Sequence, residues 1–182
     1  MEADWEFEIG GDAPVIETDW SGFVDLRSSP ERVSEVSECR ELPALGRALV
    51  HLNSAGSPVW TSKCDVFTPA GIDPDEMAAS ADEAEHPVSC YIDVLLHRGE
   101  TCNSHSDAEV KCRQICSVLS RTELARCRVD LVVRRAVAAD SLGMTVYFTA
   151  CGLTDAAAKE RLGECIDVFA EVIVRGAWLA HR

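Results

Sequence analysis

No stretch of this 182-residue chain approaches the ~20 consecutive apolar residues that a bilayer-spanning helix requires, so no membrane span is expected. The opening residues, Met1-Glu2-Ala3-Asp4-Trp5-Glu6, are acidic where a secretory leader is basic and then apolar, which points to the cytoplasm. Motifs that announce a chemistry are missing as well. There is no CxxC, HExxH or GxSxG, and Gly10-Gly11 leads into Asp12 and Pro14 rather than into GKS/T or a GxGxxG helix start. Nucleotide-phosphate binding is therefore not expected. The stretch from Pro69 to Pro87 holds six acids and no Lys or Arg, and it reads as an acidic, mobile connection.

What is present is an acidic chain of ordinary globular composition, 47% hydrophobic and 26% charged, of a length that favours a single domain over residues 1–182. The net charge of -14 comes from the first half, since residues 91–182 balance 12 acids with 12 bases. Such a field repels nucleic acid and anionic lipid, so neither is expected as a partner. The nine cysteines are odd in number and irregularly spaced, which fits reduced thiols better than a disulfide framework. Most match the apolar parity of their segment: Cys90 in its strand, Cys112, Cys116 and Cys165 on helical stripes.

Hydrophobic periodicity sets the fold class. Trp5, Phe7 and Ile9 alternate with acids in a short strand, and Trp20 to Leu26 reads as a second one, weakened by Gly22. A helix is expected over Pro43–Leu52 with Leu45, Ala48, Leu49 and Leu52 buried, followed by a strand over Val59–Phe67. The clearest alternation is Val88, Cys90, Ile92, Val94 and Leu96 against Ser89, Tyr91, Asp93 and His97. Ser106 with Glu109 spells a capping box for a helix to about Arg121. A hairpin of Val129–Val133 with Met144–Phe148 follows, and then a long helix capped by Thr154. This predicts an α+β fold, a mainly antiparallel sheet with helices on one face. The β-α-β-β-α-β order of a ferredoxin-like unit is expected from Trp20 to Val137, with an added strand and the long C-terminal helix.

If helices cover one face, the other collects Thr61, Lys63, Asp65, Tyr91, Asp93, Arg128, Asp130, Arg134, Thr145, Tyr147 and Thr149. Of these, Lys63, Tyr91, Asp93, Arg128, Arg134 and Tyr147 are the candidate ligand-binding residues, because tyrosines offer flat amphipathic surface and arginines forked donors. Cys151, beside Gly152 and ahead of a helix, is the weak candidate nucleophile. His97, Cys102 and His105 lack a second ligand pair at zinc spacing, so no metal or cofactor is expected. From Cys165 to Ala180 the last helix confines Asp167, Glu171 and Arg175 to one narrow line, an apolar arc wide enough to predict a homodimer through it. The chain thus reads as a non-catalytic binding or interaction protein with a small-molecule or protein ligand. The alternative is a small enzyme acting on an anionic molecule with the Arg, Tyr and Asp of the open face or with Cys151.

Overall fold

The computed structural model describes residues 1–18, 20–97, 104–137, 141–176 and 178. Its centre is a six-stranded mixed sheet built from β1 (Glu2–Phe7), β2 (Ile16–Glu17), β3 (Val59–Phe67), β4 (Pro87–Leu96), β5 (Cys127–Val137) and β6 (Ser141–Cys151). The spatial order is β1-β5-β6-β4-β3. β1 and then β2 run parallel to β5, and the remaining pairs are antiparallel. The helices are α1 (Glu38–Glu41), α2 (Pro43–Leu52), α3 (Ala81–Ala84), α4 (His105–Leu119) and α5 (Asp155–Val174), with 3-10 turns at Pro30–Glu35 and Asp75–Met77. β4, α4 and β5 form a split β-α-β unit whose gap β6 fills.

The core lies between the sheet and helices α2, α4 and α5. Val88, Cys90, Ile92 and Val94 of β4, Val129, Leu131 and Val133 of β5, and Val146 and Phe148 of β6 meet Leu45, Leu49, Ile115, Leu162, Ile166 and Phe169. Each fully buried side chain of this size contributes about 1.5–3 kcal/mol. Thr154 caps α5 by accepting the Ala157 N–H at 3.2 Å. Where α5 crosses α2 the approach is so close that a Cβ on Gly163 would meet the Ala44 Cβ at 2.9 Å. Among the described residues no helix is long and apolar enough to cross a membrane.

Several expectations are corrected. Trp20–Leu26 is not a strand: Gly22 takes φ +101, in the left-handed region, and turns the chain. The expected β-α-β-β-α-β run therefore loses its first member. The sheet is mixed: three of its five pairings are antiparallel, and β1 and β2 lie parallel to β5. The N-cap of α4 is Ser104, whose Oγ accepts the Asp107 N–H at 3.1 Å, so Ser106 sits inside the helix. Cys102 and the Ala139-Asp140 part of the expected hairpin turn lie outside the described residues, as do parts of the last helix beyond Gly176. Arg126 meets the acidic stretch at two points, its N–H donating to the carbonyl of buried Met77 and its guanidinium pairing with Glu83, which also forms a capping box with Ser80. The wide apolar arc of α5 is used within the chain, against α2, α4 and the strands β4, β5 and β6.

Candidate functional site

Strand alternation sends every second side chain of the sheet away from the helices. β4 thus presents Ser89, Tyr91 and Asp93 opposite Thr149, Tyr147 and Thr145 of β6. β5 adds Arg128, Asp130 and Arg134. β1, whose Ala3, Trp5 and Phe7 pack toward the core, adds Glu2, Asp4 and Glu6. In β3 the register slips between Thr61 and Cys64, so two residues, Ser62 and Lys63, stand across from Asp93. The bulge keeps Lys63 near the open face. It leaves Thr61 on the helix side, buried, with its N–H bonded to Asn53 Oδ1 at 3.0 Å, so the expectation for Thr61 is corrected.

One end of this face is roofed. Ile16 of β2 is fully buried and packs with Leu95, Ala136 and Trp60. Glu17 pairs with Val137 in the β5 ladder while its carbonyl accepts from Ser62 Oγ and its carboxylate pairs with Lys63 of β3. β2 therefore bridges the sheet from β5 to β3. The chain then crosses β3, placing the Trp20 ring by Lys63 and Phe23 and Arg27 against Trp60, with the Arg27 guanidinium 4.1 Å from the ring centroid.

Beneath the roof lies a polar cluster. Arg134 donates to Glu8 Oε2 from Nε at 2.9 Å, and from Nη1 to Thr145 Oγ1 at 3.0 Å and to Tyr147 O–H at 3.2 Å. Thr145 in turn donates its O–H to Asp93 Oδ1 at 2.6 Å. Asp93 Oδ2 accepts no hydrogen bond among the described residues and is not sealed from solvent, although the residue is only 6% exposed. Burial raises the Asp93 carboxyl above its ordinary value, against the lowering pull of Thr145, Arg134 and Lys63. The Tyr91 and Tyr147 rings lie 5.9 Å apart beside it, and burial, then Asp93 and Asp65, push the Tyr91 phenol up to about 12.

Five of the predicted residues, Lys63, Tyr91, Asp93, Arg134 and Tyr147, thus come together. Arg128 does not join them. It is held near the opposite end of β5 by Asp130 at 2.9 Å and by Glu76 at 2.6 Å. Every cation named on this face is therefore already neutralised by a carboxylate, whereas among the described residues Glu2, Asp4, Glu6 and Asp65 are exposed and form no ion pair, Asp4 lying within the field of Arg128. Sequence reasoning missed Glu8 and Glu17. Glu8 continues the alternation of acids with Trp5 and Phe7, a signal that was there to be read; Glu17 carries none.

Cys151 is fully buried, and burial, then Glu83, raises its thiol pKa; Thr154 already engages the first turn of α5. Burial likewise pushes Cys39 up to about 11 and Cys116 up to about 12. Cys127 moves down through its contact with Cys165, but it is sealed in the core with its S–H toward the Arg161 carbonyl. His105 lays its ring 5.3 Å from Phe7, and the His97 N–H donates to the Pro58 carbonyl. Among the described residues no group of three or more His, Cys, Asp or Glu could hold a metal ion. Comparison with protein-family models, with curated proteins and with solved structures finds no match to this chain.

Proposed function

We propose that this protein is a cytoplasmic, non-catalytic binding module that works through the uncovered face of its sheet, with Tyr91, Asp93, Tyr147 and the paired Lys63 and Arg134 as contact groups. The observation that carries the reading is the convergence of these five residues on the uncovered face, around a largely buried carboxylate whose second oxygen solvent still reaches. Asp93 is only 6% exposed and burial raises its carboxyl, so its ionised form is costly there, and the oxygen that solvent still reaches offers a ligand's donor a place to bind. Catalysis by Cys151 is disfavoured because burial keeps that thiol protonated. The homodimer expected through the last helix is left out of the proposal, since that helix spends its apolar arc on its own chain.

The test is a thermal-shift screen of the purified, reduced protein against charged and neutral small molecules and short peptides. Each compound that stabilises the protein is repeated on Tyr147→Ala and on Arg113→Ala, a change on the exposed side of α4, and is recovered for mass spectrometry. The expected result is stabilisation lost in Tyr147→Ala, kept in Arg113→Ala, with the compound unchanged. Stabilisation that survives Tyr147→Ala, or a compound converted to product, overturns the reading.

A further inference from the structure

The charges on the open face are lopsided in a particular way. The cations are committed: Lys63 to Glu17, Arg134 to Glu8, Arg128 to Asp130 and Glu76. An anionic ligand would have to displace a carboxylate from each, so the anion-binding use of the arginines expected from sequence is disfavoured. Among the described residues, the charged groups outside an ion pair on this face are all carboxylates, while the Tyr91 and Tyr147 hydroxyls keep a proton to donate. Asp93 Oδ2 lies on the floor, and Glu2, Asp4 and Glu6 form a row along β1 at the rim, with Asp65 at the other side on β3. A carboxylate held in a largely buried side chain, with one oxygen open to solvent, is a seat for an ammonium or guanidinium group, and tyrosine rings such as Tyr91 and Tyr147 accept the same cations on their faces.

Resting on the binding reading above, we infer that the occupant of the open face is a basic, extended polypeptide segment of a partner, which seats one Lys or Arg on Asp93 and lays others along the acidic rim. The size of the face decides against a small monoamine. From β1 to β4 there are three strand spacings, about 14 Å in all, which an extended segment of four to five residues spans and a single amine does not. Charge complementarity also sets the expected salt dependence, because the rim acids are exposed and screened while Asp93 is not.

The experiment uses the full chain and three probes in fluorescence anisotropy: a fluorescent eight-residue peptide alternating Lys with Gly, the same peptide with Glu for Lys, and spermine as competitor. Binding of the lysine peptide is expected, with none of the glutamate peptide. Asp93→Asn should weaken it about tenfold, and Glu2→Gln with Asp4→Gln and Glu6→Gln should weaken it severalfold and flatten its salt dependence. Neutralising Asp73 and Asp75, remote acids of the β3–β4 connection, should change nothing. The inference is overturned if affinity is indifferent to Asp93→Asn and to the rim variant, if it depends on Asp73 and Asp75 instead, or if spermine alone binds as tightly with the same dependence. A neutral ligand from the thermal-shift screen that needs Tyr147 but not Asp93 would overturn this inference and leave the binding face standing. Failure of every compound to act through the face would remove both.

Discussion

The two faces of the sheet are made by the same strands from alternating residues, and they solve opposite problems. Toward the helices, β4 and β6 offer Val88, Cys90, Ile92 and Val94 with Val146 and Phe148, and burial is satisfied by contact alone; Phe148 meets Phe169 edge-on at 5.1 Å. Away from them, the same strands offer Tyr91 and Asp93 with Thr145 and Tyr147. Burial there requires partners arriving from the end of β1, from β2 and from β3, namely Glu8 just past β1, Glu17 and Lys63. The comparison teaches that the covered face is stabilised by area and tolerates neighbours of similar shape. The open face depends on a pairing network that leaves an oxygen over.

The largest effect should come from the covered face. Phe169→Ala removes a fully buried ring and is expected to cost about 3–5 kcal/mol in denaturant unfolding, without change in the denaturant slope. A loss below about 1 kcal/mol would mean that the α5 contact is not the core. Next is Gly163→Ala. On an exposed helix this change stabilises by up to about 1 kcal/mol, but here the Cβ lands against Ala44, so destabilisation of about 1–3 kcal/mol is expected. Stabilisation would show that α2 and α5 are not in close contact.

On the open face, Arg134→Met leaves Glu8, Thr145 and Tyr147 short of a donor and should cost about 1–3 kcal/mol. Adding Glu8→Leu should return part of the loss, as removing both members of a partly buried pair does. Equal loss in single and double variants would break the claim that the network serves something besides stability. The smallest effect is a pH dependence. Asp93 has a folded pKa raised by burial, so its contribution to stability is fully present below the unfolded value near 3.8 and fades as pH rises through the folded pKa. The charged groups facing it are Arg134 from β5, Lys63 from β3 and Glu17 from β2. Asp93→Asn should therefore be the more stable protein at neutral pH, with the advantage shrinking as pH falls to 4. An advantage that grows on acidification would reverse the assignment.

How much of this was legible depends on the range of the interaction. α2 and β3 lie at their expected limits because a proline at the start and an Asn-to-Gly break mark α2, and alternation marks β3. Which residues share the open face followed from period two. The bulge at Ser62–Lys63 did not, since nothing local distinguishes it, and Thr61 changed sides as a result. Partner choice was equally hidden: β1 reads as a strand, but its parallel register on β5 joins residues more than a hundred positions apart. The same distance hid Glu8 from Arg134, so sequence supplied the members of the site without its electrostatics. In Trp20–Leu26 only Leu26 is buried while Trp20, Phe23 and Val24 are half-buried, and the strand expected there fails because Gly22 turns the chain.

The pairing of β1 and β2 with β5 has a consequence for how the molecule is made. Residues 2–17 cannot settle until residues 128–137 exist, so during synthesis the N-terminal acids wait, unpaired, while most of the chain is added. Closing that loop is an entropic cost met late, and it places this edge of the sheet among the last parts to assemble. The roof that β2 lays from β5 to β3 is therefore completed only after the strands beneath it have paired.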